Sequence, residues 1–177
     1  MVRGVTQQTF QQLQLGEGAF LKTKFTSTLT DDMILSATRN GATITIAPRY
    51  RTRVVDGVPE NTKGAKAVDS VAVNASFVAL NSTPEFVKRA LEVADLVGNI
   101  IKLRHKVEDT DYEDLFWLGE ISDGRKVQIT FKNAFNETGL SLRATQNNEG
   151  ELSMNFSGNY DLNNLDTPPV EIEFLDA

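Results

Sequence analysis

Five short stretches of this chain alternate apolar and polar residues one by one: Ala42 to Ile46, Val127 to Phe131, Leu140 to Ala144, Leu152 to Phe156 and Val170 to Phe174. Successive side chains of a strand point to opposite faces, so each stretch predicts a strand with one face on a core and one in water. Two longer strands are predicted over Ala42 to Val55 and Lys66 to Leu80. In the second, Val71, Val73, Ala75 and Phe77 share one face, and Ser70, Asn74 and Ser76 share the other. Further strands are expected at Ala19 to Phe25, Ile100 to Val107 and Leu115 to Ile121.

Two segments read as helices. Thr30-Asp31-Asp32 has the residues of a helix start, with Asn40-Gly41 as its stop. Thr83 to Val97 carries Phe86, Val87, Ala90, Leu91, Val93 and Ala94 at helical spacing, behind the capping pattern Ser82-Thr-Pro-Glu85. Asp123-Gly124, Glu137 to Gly139 and Asn147 to Gly150 supply turns at the short spacing of a sandwich or barrel. The expected fold is therefore mainly β, a sandwich or half-barrel with one flanking helix and a short N-terminal one. With no repeat and no low-complexity linker, residues 1–177 read as a single domain. Its parts would be a polar arm over 1–16, a long inter-strand loop over 55–65 and a C-terminal segment over 166–177.

Composition narrows what such a fold can do. A chain of 177 residues buries roughly 70% of its unfolded surface on folding, enough for a core without staples. It has no cysteine, so disulfides and thiolate metal sites are out of reach. The net charge of −6 argues against general affinity for nucleic acid. No window approaches the roughly 18 apolar residues of a membrane span, and Met1 to Gln14 lacks a secretory run, so a soluble protein made in the cytoplasm is expected.

Catalytic chemistry is sparse. His105 is the only histidine, and it sits among basic residues, where a packing or surface role is expected. Glu108 to Asp114 offers oxygens at alternate positions but lacks the glycine and distant glutamate of an EF-hand; a solvated turn is expected. Gly16-Glu-Gly18 is too short for a dinucleotide fingerprint. No enzyme, cofactor or metal is read from this chain. Arg49, Arg51 and Arg53 fall on one face of a strand, about 7 Å apart, and call for acids opposite them. Asp56, Glu60, Asp69 or a neighbouring subunit could supply those acids.

The order of elements resembles the major tail tube protein of long-tailed bacteriophages, with the noncontractile siphophage type favoured. The resemblance rests on the polar N-terminal arm, the short Thr-Asp-Asp-capped helix ending Thr38-Arg-Asn-Gly41, the strand Ala42 to Pro48, Val54-Val-Asp-Gly57, the loop with Thr62-Lys-Gly64 and the strand Asp69 to Leu80. It continues through the Thr83-Pro-Glu helix, Phe116-Trp-Leu-Gly119, Asp123-Gly124 and the terminal Pro168 to Phe174. It implies a structural virion protein, made in the host cytoplasm, whose hexameric rings stack into a hollow tail tube. DNA would pass through without specific binding, no membrane would be involved, and a tape measure protein and tail-end proteins would be partners. Under that resemblance the interface candidates are Arg49, Arg51, Arg53, Asp56, Glu60, Lys63, Glu171 and Glu173, and the lumen candidates Thr43, Thr45, Ser70, Asn74 and Ser76. A competing reading is a monomeric barrel or sandwich that binds a small ligand or glycan on Trp117, Phe116 and Tyr112.

Overall fold

The alternating stretches do become strands, and they stack in two layers. The computed structural model describes residues 15–59, 61–80, 83–121, 124–145 and 148–175. Its strands are β1 (Leu15–Leu21), β2 (Ile34–Ser36), β3 (Thr38–Thr52), β4 (Lys66–Ala79), β5 (Ala94–Val97) and β6 (Ile100–Leu103). They continue with β7 (Glu113–Ile121), β8 (Lys126–Asn136), β9 (Ser141–Thr145), β10 (Asn148–Ser157) and β11 (Val170–Leu175). A single α-helix, α1 (Pro84–Leu91), is present among the described residues. The fold is mainly β and antiparallel, as the alternation predicts.

Nine strands follow the order β2-β1-β7-β8-β10-β4-β3, with β11 beside β8 and β9 beside β10. The path turns over at β8. Residues from Lys126 to Phe131 lie between β7 and β11, whereas Phe135 and Asn136 pair with β10. One layer is thus β2-β1-β7-β8-β11 and the other β3-β4-β10-β9, with β3 crossing over β1. Between them lie Phe20, Leu115, Trp117, Ile129 and Phe131 from the first layer and Val73, Phe77, Met154 and Phe156 from the second. Phe20 stacks on Phe77 across the layers with ring centroids 3.9 Å apart. A smaller cluster covers the outside of the first layer, where Phe25 packs with Leu21, Phe116 and Leu118 and donates its N–H to the buried Gln128.

Several local expectations are corrected. The stretch after Thr30 forms one 3-10 turn, Asp31–Met33, and then passes into strands; Asn40-Gly41 is a bulge inside β3. Both residues hold positive φ, which a bulge accommodates as readily as a helix end. Helix α1 stops at Leu91, short of Val97, because Glu92 adopts φ 55° and Ala94 to Val97 pair with β6. The helix start is Thr83, whose hydroxyl accepts the Phe86 N–H at 3.3 Å. The Asp123-Gly124 turn lies only partly within the described residues.

A buried polar cluster pins α1 to the sandwich. Arg89 donates to the Glu92 carboxylate at 2.8 Å and to the carbonyls of Glu113 and Ala134. The other Glu92 oxygen accepts the Asn136 N–H at 3.0 Å, and the Asn136 amide donates to Ala90 O and Gly139 O. The end of the helix and the turnover of β8 are therefore satisfied by each other's polar groups.

Candidate subunit interface

Most side chains weighed for chemistry either lie on the surface or have partners within the chain. His105 is exposed and lies beyond the end of β6, outside the strand expected for it. Asp111 is buried: its carboxylate pairs with Arg104 and accepts the Glu108 N–H. Arg104 also meets Asp95 and Glu108, each at 3.0 Å, so Glu108 and Asp111 close on an arginine while the rest of the run stays exposed. Among the described residues no group of three or more His, Asp or Glu could hold a metal ion. No described helix is long and apolar enough to cross a membrane. The aromatic platform does not form. Trp117 faces the inter-sheet core and Phe116 the outer cluster, because neighbours in a strand point to opposite sides.

What stands out is the ribbon at the far end of β3 and β4. The two strands pair from Thr38↔Ala79 to Thr52↔Lys66, which carries them beyond the layer beneath. Every residue from Ala47 to Thr52 is exposed. Tyr50 is 64% and Val54 77% accessible, and Val55, Val58 and Val68 are also exposed. Turn hydrogen bonds from Val58 N–H to Val55 O and from Thr62 N–H to Pro59 O shape the tip, where Gly57 and Gly64 hold positive φ. Five cations, Arg49, Arg51, Arg53, Lys63 and Lys66, outnumber the acids Asp56, Glu60 and Asp69 of the same segment. Arg51 lies 3.8 Å from Asp69, both well exposed. Asp56 and Lys63 are exposed at the tip, and Glu60 lies outside the described residues.

The five polar candidates Thr43, Thr45, Ser70, Asn74 and Ser76 come together. Thr43 pairs with Ser76, Thr45 with Asn74 and Arg49 with Ser70, placing them all on the outer face of the second layer. Asn155 and Ser157 of β10 extend that face, and Ser76 donates to Asn155 at 2.9 Å. The face is hydroxyl- and amide-rich, and it runs into Arg49 and Arg51 at one end.

Glu171 and Glu173 project from the outer side of β11. Each has a partner within the chain, Lys132 at 3.7 Å and Lys24 at 2.8 Å. Sequence reasoning placed the apolar alternates of this strand in the core, and here it is corrected. Ile172 is 50% and Phe174 62% accessible. Both face inward, opposite the buried Ile129 and Val127 of β8, but the second layer does not extend over them.

Sequence comparison finds no matching family model and no matching curated protein. Among solved structures, this chain is similar to one from the tail of an empty GTA particle computed with helical refinement in C6 symmetry. The TM-score is 0.38 at 13% identity, over 81% of this chain and 85% of that one.

Proposed function

We propose that this chain is a structural protein of a phage-type tail, that six copies close into a ring, and that rings stack into a hollow tube conducting DNA. The observation that carries the reading is the β3–β4 ribbon, which leaves the sandwich with valines, Tyr50 and arginines in water. An exposed apolar patch rimmed by charged residues is an association surface. β3 ends its layer as a 15-residue strand with one edge unpaired among the described residues, which a free monomer leaves as an aggregation hazard and an assembly satisfies. Contacts between unlike surfaces generate rings and filaments.

In such a tube the Thr43, Thr45, Ser70, Asn74 and Ser76 face lines the channel. Hydroxyls and amides over most of that face, in a ring of net negative charge, give phosphate little cation to bind away from the arginines at one end, so DNA slides. The ribbon reaches a neighbouring ring, and a tape measure protein and tail-end proteins bound the polymer. Electron microscopy of the purified chain, with sedimentation velocity over a wide concentration range, tests this. Rings or tubes with sixfold end-on views are expected; a monomer at every concentration and ionic strength refutes it.

A further inference from the structure

The two flanks of the sandwich are incomplete in opposite ways. On one flank β3 overhangs: Ala42, Ile44 and Ile46 face inward yet are only half-buried. Beneath them, against Gly18, Trp117 and Ile129, lies a groove of about 990 Å³. On the same flank β2 pairs with β1 only at Phe20 and Leu21, so residues 15–19 of β1 have no neighbour on that side among the described residues. On the other flank β11 overhangs, with Ile172 and Phe174 uncovered and its outer edge also without a described partner. Each flank therefore has an open backbone edge and an apolar ledge, and each lacks what the other carries.

We infer that β11 of one copy docks along the open edge of β1 of the next, beneath β3, so that its Ile172 and Phe174 fill the groove under Ile44 and Ile46. The joint continues the first layer from copy to copy by strand addition, with side chains completing the neighbour's core. The match is one of shape: an open edge with an uncovered apolar ledge meets an open edge with an unfilled apolar groove. Because the two surfaces differ, the joint runs head to tail and closes only by rotation into a ring. The inference rests on the assembly reading above and adds which strand meets which.

The absence of native cysteine makes the test direct. Full-length chains carrying Ile44→Cys and chains carrying Phe174→Cys are mixed, assembled and oxidised, with electron microscopy in parallel. Disulfide-linked dimers are expected in the mixture and not with either variant alone. Linked dimers from Phe174→Cys alone indicate a two-fold joint and overturn the inference. Rings without any 44–174 link overturn it while leaving the assembly reading standing. A link within one chain between Phe10→Cys and Ile44→Cys places the N-terminal segment in the groove and overturns it as well. A chain that never assembles overturns both readings. Should either single variant unfold, Ile172→Cys with Ile46→Cys repeats the test one pair along.

Discussion

Trp117 owes its place to two residues that have no side chain. Its indole lies along the inner face of the first layer across Gly18 and Gly119, which are cross-strand partners. A Cβ on Gly18 would lie 2.5 Å from the ring, and one on Gly119 would overlap it. Gly18 has no positive φ, so the cost of Gly18→Ala is displacement of the ring from the groove wall. Gly18→Ala or Gly119→Ala should each lose about 1–3 kcal/mol by overpacking, or roughly 3–10 °C in melting temperature. The emission of this sole tryptophan should shift in the same variants. Glu92 is a second such residue. Burial pushes its carboxyl from 4.5 up to about 7, outweighing the neighbouring Arg89 and the Asn136 N–H, which favour the charged form. The folded state thus holds the proton more tightly than the unfolded chain. The associated stability is full below pH 4.5 and lost as pH rises through about 7. A shift of this size is on the order of 3 kcal/mol. Urea midpoints at pH 5 and pH 8 should therefore fall in the wild type and fall less in Glu92→Gln.

The elements divide by where their energy comes from. β4 and β10 run through the sandwich, and their apolar alternates Val73, Ala75, Phe77, Met154 and Phe156 are all buried as their pattern predicts. The β3–β4 ribbon owes little to that core, since its outer residues touch solvent on both faces. Reversing charge with Arg49→Glu, Arg51→Glu and Arg53→Glu together should change monomer stability by less than about 1 kcal/mol while abolishing assembly. Circular dichroism and electron microscopy read the two effects separately. Unchanged tubes would remove the ribbon from the interface. Helix α1 shows why local pattern is a weaker guide at element ends. Thr83 and Pro84 mark the start of α1 correctly. Its end is set by Glu92, which holds a positive φ where its carboxylate meets Arg89 three residues back and Asn136, 44 residues away in sequence.

At the level of the molecule, the arrangement of β8 matters most. By pairing with β7 and β11 at one end and β10 at the other, it joins both layers and leaves their free edges on opposite flanks. A fold closed on itself would have used β11 to cover β3 or β1. Instead each layer overhangs on one side, with Ile44 and Ile46 half-buried at one flank and Ile172 and Phe174 exposed at the other.

The order of residues was enough to establish a β fold, the partition of β4 into apolar and polar sides, and the grouping of Thr43, Thr45, Ser70, Asn74 and Ser76. These follow from a period of two, a property of the strand alone. It was also enough to expect a packing or surface role for His105 and a largely solvated run from Glu108 to Asp114, but not the burial of Asp111 against Arg104. Three-dimensional packing settled the rest. Alternation says that Ile172 and Phe174 share a face with Val170, but it cannot say whether a second layer reaches that far. Nor can it separate a bulge at Asn40-Gly41 from a helix end, since both use positive φ. Burial is a relation between strands distant in sequence, and only their stacking reveals where the core of one copy runs out.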